Sequence, residues 1–501
     1  MKAIKYLTLG LLLTAGLASC GDDYFDTKDR SVLEPDAVAE AAGRNPSIFL
    51  NGIWSWLVDD YAGTFTRHDS FNYAAMLMAA DCMSDNLAFS ASHWFNYDYE
   101  FGFRMQNYVR PNHVWTTWYT TISKANEVIN LYPEGGKTAD ENGLLGQALA
   151  MRGLSYYYLV QMFTQYIDAN GNIDREKPGV PIMLTQADGL TMDEIAAWKG
   201  RNTVGDVLDQ TEKDLTRAVE LLGEGYERPT DANGKDYVDQ GVAYGFLARF
   251  YLLTQNWDGA AKAAKAARQG YAQRTPQQLL DGFMDVTASD VMWGFNHTAD
   301  TQSTYASWFS HISALAPGYS GMGYATKLID ARLYSQIPDN DVRKALFNGP
   351  EGNAQQKSVG AQKPYAPLKF GDDGSWTMDY IYMRAAEMVL IEAEALAHQG
   401  KGGEAATVMK ELMAYRVPGW NEPSVSVNDV LLQRRIELWG EGFSYFDLKR
   451  NNLGCYRNYE GTNHLAGYVF DIPPQDVRWT YQIPLNEIQE NDLVTEADQN
   501  P

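Results

Sequence analysis

A mainly α-helical fold is predicted, in which pairs of alanine-rich helices alternate with long loop-rich excursions. Three observations predict it. Apolar residues recur at three- and four-residue steps over two long segments, two later stretches share a helix-break-helix pattern, and Gly, Asp, Asn, Pro and aromatic residues concentrate between them. The first spacing is that of one face of an α-helix.

The chain opens with Lys2 and Lys5, an apolar run from Leu7 to Leu17, and then Ala18, Ser19 and Cys20. This is the pattern of a secretory signal, and its apolar core is too short to cross a bilayer as a helix. Leu17-Ala18-Ser19-Cys20 resembles the lipobox of bacterial lipoproteins. That resemblance implies a signal over residues 1–19 and a Cys20 that carries acyl chains, several of which anchor a protein stably. Gly21-Asp22-Asp23 resembles the surface-export signal of such lipoproteins. Residues 20–45 read as a polar, turn-rich tether and residues 46–501 as one domain.

A hydrophobic content of 45% supports a sizeable core. A net charge of −23 argues against nucleic-acid partners, which need a basic face. No other stretch has the length and apolarity of a membrane helix. Beyond Cys20 only Cys82 and Cys455 remain, too few for a disulfide framework, and they read as buried free thiols.

Val114, Trp115, Trp118, Ile122, Ala125, Val128 and Ile129 define the first helix, and Leu145 to Phe163 the second. GVAYGFLARFYLLTQNWDGAAKAAKAA, from Gly241 to Ala267, and YMRAAEMVLIEAEALAHQGKGGEAATVMKEL, from Tyr382 to Leu412, then repeat one design. Each is an Ala-rich helix, a short break and a second Ala-rich helix. This resembles the helix-turn-helix unit of tetratricopeptide repeats. The units are interrupted rather than tandem, so an unbroken solenoid is not expected. Between them, 167–202, 272–376 and 452–481 read as non-helical; 272–376 is the main excursion. Loops of that length in a compact domain usually carry function.

Four features occur in order along the chain: the lipobox; the aromatic helix Ala150-Met151-Arg152-Gly153-Leu154-Ser155-Tyr156-Tyr157-Tyr158-Leu159-Val160-Gln161-Met162-Phe163, followed by Val180-Pro181; RRIELWGEGFSYFDLKR from Arg434 to Arg450; and Ile483-Pro484-Leu485-Asn486-Glu487-Ile488. This ordered set resembles the SusD/RagB family of outer-membrane nutrient-binding lipoproteins. The resemblance implies a TPR-like α fold on the outer face of the outer membrane. It also implies a glycan or similar nutrient oligomer as ligand, and pairing with a SusC-like TonB-dependent β-barrel transporter that the protein covers as a lid. The charged residues from Arg434 to Arg450 share helix faces at three- and four-residue spacing and read as a buried ion network rather than a catalytic cluster.

Catalytic text is fragmentary. Gly135-Gly136-Lys137-Thr138 lacks the earlier glycine of a phosphate loop, Gly318-Tyr319-Ser320-Gly321 lacks the spacing of a nucleophile elbow, and the seven histidines form no HExxH. Asp168 to Asp174 resembles half a calcium loop, but its twelfth position is Gly179, so an Asx turn is expected. No cofactor is predicted, although a non-standard calcium site stays open, and no enzymatic activity is expected. The alternatives are a lipoprotein glycoside hydrolase, which needs two carboxylates at a set separation, and a TPR-like protein-interaction scaffold.

Binding chemistry is better represented. Thirteen Trp and 31 Tyr are many for this length. Aromatic faces take the C–H face of a pyranose at low entropy cost. Loop aromatics are the candidates, because helical ones usually face the core. One cluster follows Ser84-Asp85-Asn86, which resembles the family's Ser-Asp-Glu turn with Asn in place of Glu. It supplies Trp94, Asn96 and Tyr97. A second, in the central excursion, supplies His297, Tyr305 and Trp308. Arg67, His68 and Asp69 form an earlier polar loop of the same kind, and Trp293 reads as core.

Overall fold

The computed structural model describes residues 47–58, 66–185 and 200–501. The expected signal, Cys20 and the tether to residue 45 lie outside the described residues. Helix α1 (Ser47–Val58) places Leu50, Ile53, Trp54 and Leu57 on one buried face. Helix α2 (Asn72–Cys82), strand β1 (Leu87–Phe89) and the short α3 (Asn96–Tyr99) follow. Then come α4 (Val109–Leu131), α5 (Ala139–Phe163), α6 (Val204–Leu222), α7 (Gln240–Leu253) and α8 (Trp257–Ala267).

The main excursion carries β2 (Val291–Phe295), α9 (Trp308–Ile312), β3 (Lys327–Ile329), α10 (Ala331–Ser335) and α11 (Val359–Gln362), and β4 (Tyr380–Arg384) follows it. It is therefore not free of helix, as its composition suggested; short elements of three to five residues sit below the length at which periodicity is readable. The chain closes with α12 (Ala385–His398), α13 (Gly402–Met413), α14 (Val427–Glu437), α15 (Ser444–Arg450), β5 (Cys455–Tyr456), β6 (Asp471–Ile472) and α16 (Leu485–Glu490). Among the described residues no helix is long and apolar enough to cross a membrane.

Helix starts follow their sequence signals. Thr138 accepts from the Glu141 amide while Glu141 reaches back, a capping box that accounts for Gly135-Gly136-Lys137-Thr138 as the turn into α5. Thr203 and Ser426 cap α6 and α14 in the same way. α5 packs on α6 through small residues: a Cβ on Gly146 or Gly153 would lie 2.8 Å from Leu222 or Leu215.

The helices stack in succession: α4 on α5, α5 on α6, α6 on α7, α7 on α8, α8 on α12, and α12 on α13 and α14. The two Ala-rich pairs, far apart in sequence, are thus neighbours in space. Interruption of the text does not interrupt the stack, because the excursion leaves after α8 and β4 runs straight into α12. Arginines tie the junctions. Arg152 forks onto Asp214 at 2.8 Å, Arg249 onto Glu387 at 2.7 Å, and Arg268 reaches Glu392 and Glu411.

Three small antiparallel ladders pin the loops. β1 pairs with β3 (Leu87↔Ile329), β2 with β4 (Phe295↔Tyr380) and β5 with β6. The first two join segments distant in sequence and hold both ends of the excursion. Trp293, on β2, is core, packed among Trp54, Tyr73, Phe246 and Tyr382. Cys82 and Cys455 are buried free thiols, and burial pushes both up, Cys455 to about 12.

The Arg434–Arg450 segment is a hub. Glu437 meets Arg416, Arg384 and Arg343; Glu441 meets Arg384 and Lys369; Arg434 and Arg450 share Glu394 and Asp447. Burial works to raise the Glu437 carboxyl, and the three guanidinium groups override it, holding it well below the glutamate range. Lys449 is buried and donates to the Gln161 and Trp479 carbonyls at 2.6 Å and to Thr164 at 3.0 Å, closing the C-terminus of α5. The Ile-Pro tail continues the closure: Tyr481 N–H donates to Met162 O and Leu485 N–H to Gln106 O.

Candidate functional site

The same hub fixes a turn that leads to the aromatic loops. Asp81 accepts from the Gly442 and Ser444 amides, Arg435 donates to the Asn86 side chain, and the Trp439 indole N–H donates to the Asn86 carbonyl. Arg457 donates to the Cys82, Ser84 and Tyr99 carbonyls. The Ser84-Asp85-Asn86 turn is therefore locked from the C-terminal third, and β1 carries the chain from it to the 91–97 loop.

Three segments then converge. The stretch before α2 brings Arg67 and His68, the stretch between β1 and α3 brings His93 and Trp94, and the excursion brings Tyr305, Tyr319 and Tyr324. His68 is central. Its ring lies 5.1 Å from Trp94, 5.1 Å from Tyr305 edge-on and 5.8 Å from Tyr319. The His68 Nδ1 hydrogen-bonds the Tyr319 hydroxyl. His93 lies 5.0 Å from Tyr319 and stacks with Tyr324 at 6.1 Å. Tyr305 is 47% exposed and Tyr324 57%, while His68, His93, Trp94 and Tyr319 are half-buried. Rings braced by one another and open to solvent on one side form a platform for a flat apolar surface.

A second layer supports it. His311 is buried, stacks on Tyr319 at 4.8 Å and donates from Nε2 to the His68 carbonyl at 2.6 Å. Burial holds its pKa well below the usual histidine value, so it serves as a neutral spacer. Phe71 and Phe95 pack on it. Phe95 adopts φ +68°, a left-handed conformation costing about 1 kcal/mol for a non-glycine residue. Its buried ring and the Arg110 guanidinium 5.1 Å above it offset that strain.

Gly318-Tyr319-Ser320-Gly321 also finds its reason here. A Cβ on Gly318 would lie 2.5 Å from the Ser310 Cα, and one on Gly321 1.9 Å from the Ala316 oxygen. Glycine lets this turn press onto α9 and present Tyr319.

Arg67 extends the surface. Its guanidinium lies 5.3 Å from the Trp94 ring centre and 5.8 Å from Phe103, and Phe103 stacks on Tyr97 at 4.7 Å. Trp94 and Tyr305 thus meet around His68. Tyr97, 49% exposed, joins through Arg67 and Phe103, and Asn96 is half-buried at the start of α3.

His297 and Trp308 depart from expectation. His297 is 7% exposed, its Nδ1 bonds to the Thr301 carbonyl at 2.7 Å and its ring packs on Phe295 and Tyr380. Trp308, half-buried, opens α9, which sets its ring against Phe309, Phe370 and Tyr380, a different set of rings from those around His68. Tyr319 and Tyr324 were missed. The available signal was their placement in a glycine-spaced turn, Gly318-Tyr-Ser-Gly-Met-Gly-Tyr324.

The backbone at His297 is held by two carboxylates. Asp379 accepts from the Val286 and His297 amides, and Asp236 accepts from the adjacent Asn296 amide. Burial, with some repulsion from neighbouring carboxylates, raises Asp236 to about 7 and Asp379 to about 6. A raised carboxyl stabilises the fold at low pH and loses that contribution as pH climbs toward the folded value. Asp236→Asn keeps an acceptor and removes the charge. It is expected to flatten the decline in stability between about pH 4 and 7 and to add about 1–2 kcal/mol at pH 8, as read from urea unfolding at several pH values.

Among the described residues no group of three or more His, Cys, Asp or Glu side chains is arranged to hold a metal ion. Asp168 accepts from the Asn170 and Asn172 amides, an exposed Asx turn.

Residues 50–252 match a family model described as starch-binding and associating with the outer membrane, and residues 350–501 match the model of the SusD family. A SusD-like protein P2 of Formosa agariphila is 22% identical over 388 residues, 68% of this chain and 71% of that protein. A SusD-like carbohydrate-binding protein of Bacteroides vulgatus superposes with a TM-score of 0.76 at 25% identity, over 93% of this chain and 98% of that one. The surface glycan-binding protein A of Bacteroides uniformis shares the fold, with a TM-score of 0.68 at 18% identity over 91% of this chain and 99% of that one. Matched by family models at both ends of the described fold and by relatives through nearly all of it, the chain belongs to the SusD family.

Proposed function

We propose that the face formed by His68, His93, Trp94, Tyr305, Tyr319 and Tyr324 binds a glycan chain. On this reading the protein is a binding protein without catalysis, anchored through Cys20 to the outside of the outer membrane. It delivers its ligand to a SusC-like TonB-dependent transporter. The observation that carries the reading is the convergence of half-exposed rings from three distant segments around His68. The names of the Bacteroides relatives, a carbohydrate-binding and a glycan-binding protein, support it. Stacking and hydroxyl contacts suffice for capture, so no cofactor is required. Affinity is modest, because an ordered oligosaccharide gives up conformational freedom and must be released.

Affinity electrophoresis through polysaccharide-containing gels tests the site. Trp94→Ala and Tyr305→Ala are each expected to lose about tenfold or more in affinity, in line with truncation of a stacking ring, with an unchanged melting temperature. Trp308→Ala is expected to melt earlier and bind normally. Wild-type retardation of both site variants would remove the reading.

Anchoring and delivery have their own test. Cys20 is expected to be acylated in mass spectra of the mature N-terminus, and a TonB-dependent barrel to co-purify from solubilised outer membrane. An unmodified Cys20, or a different partner, counts against them.

A further inference from the structure

The polar groups exposed among these rings are basic, and from this we infer that the bound glycan is acidic, with a uronate carboxylate or sulfate ester seated on the free edge of Arg67. The inference rests on the glycan-binding reading of the same face. Arg67 gives Nε and Nη2 to Asp69, at 2.9 and 3.1 Å, which leaves the Nη1 edge unused by that pair. The Trp94 and Phe103 rings hold the guanidinium plane, and the side chain is 35% exposed. A guanidinium edge donates and never accepts; a neutral hydroxyl can take one such bond, but a carboxylate or sulfate takes two in a bidentate, charge-assisted pair and is the stronger complement.

The surrounding charge points the same way. Asp69 is buried and already faces a second guanidinium, Arg110, at 3.5 Å, and Arg110 forks onto the buried Asp98. Lys327 lies buried beneath, with its ammonium on the Ala325 carbonyl and over the Phe89 and Phe95 rings. Three basic side chains, with Lys327 drawn down to about 8 by its burial, thus stand against two carboxylates. His68 and His93 line the open side; burial lowers His93, so it offers a polar ring rather than a charge. On a chain of net charge −23, this face carries no such negative excess. The buried charges set a field that reaches the ligand, while the contact at the partly exposed Arg67 is open to screening by salt.

The full chain in detergent is screened on a glycan array holding neutral, uronate-containing and sulfated oligosaccharides, with titration calorimetry on the best of each at 50 and 300 mM NaCl. An acidic oligomer is expected to bind about tenfold more tightly than the best neutral one and to weaken in salt. Which of the two acidic classes wins identifies the substituent. Arg67→Gln is expected to lower acidic binding to the neutral level, and Arg67→Lys to recover part of it. Both variants are checked for an unchanged melting temperature. Neutral oligomers that bind as tightly as acidic ones, or an Arg67→Gln variant that keeps acidic binding, overturn the inference. If Trp94→Ala still abolishes that binding, the glycan-binding reading stands alone. If no saccharide binds, both fall together.

Discussion

Glu437→Ala is expected to lower the unfolding free energy by about 3–5 kcal/mol, the usual cost of stripping one partner from a buried ion pair. Glu437 is 2% exposed. Arg416 forks onto it with both contacts at 2.9 Å, Arg384 lies at 3.3 Å and Arg343 at 3.4 Å. Its removal leaves Arg343 on Asp341, Arg384 on Asp290 and Glu441, and the buried Arg416 on the Arg274 carbonyl. Glu437→Gln keeps the shape and loses the charge, and its loss is expected to be nearly as large. Urea unfolding at pH 7 measures both. A loss below about 1 kcal/mol would mean that the network relaxes around the missing charge. The pH course has a definite sign. A depressed carboxyl contributes its full stability above the ordinary glutamate value, near 4.5, and loses it as pH falls toward the lower folded value. Wild type is therefore expected to lose stability in acid more steeply than either variant.

Arg110→Ala joins stability to binding. Arg110 is fully buried at the start of α4. It forks onto Asp98 at 2.9 and 3.0 Å and donates to the Asp69 carbonyl at 2.7 Å, so one side chain holds both the loop of Arg67 and His68 and the loop of Trp94. Without it, Asp98 is a buried carboxylate stripped of its guanidinium. A loss of about 3 kcal/mol or more is expected. Burial already raises Asp98, and Arg110 limits the rise. Deletion raises it further, so the variant is expected to be less impaired at pH 5.5 than at pH 8, where keeping the carboxyl protonated costs most. Glycan retardation is expected to fall together with stability, because the Trp94 ring loses its frame. Thermal melts at the two pH values and gel retardation measure this. An equal loss at both pH values, or full binding, would show that Arg110 does not hold the loops.

Some of this was legible in the residues alone. The long helices α4 and α5 follow from three- and four-residue spacing, and the Ala-rich pairs follow from their own repetition. These signals are local, since each is made within a few turns of chain. The ion network around Glu437 was readable as charges on shared helix faces, although its partners Arg343, Arg384 and Arg416 were not. The ordered motifs named the family.

The binding face was readable only in part. Trp94 and Tyr305 could be singled out as loop aromatics, but their meeting at His68 depends on the β1–β3 and β2–β4 ladders, which join residues more than two hundred and about ninety positions apart. Tyr305 and Trp308, three residues apart, took different fates because α9 begins at Trp308 and sets that ring against Phe370 and Tyr380. The residues alone determined the long helices, which follow from short-range geometry, and the family, which follows from motifs in order. Only the tertiary structure decided which rings face solvent, because exposure is set by what packs behind a side chain and not by its neighbours in the chain.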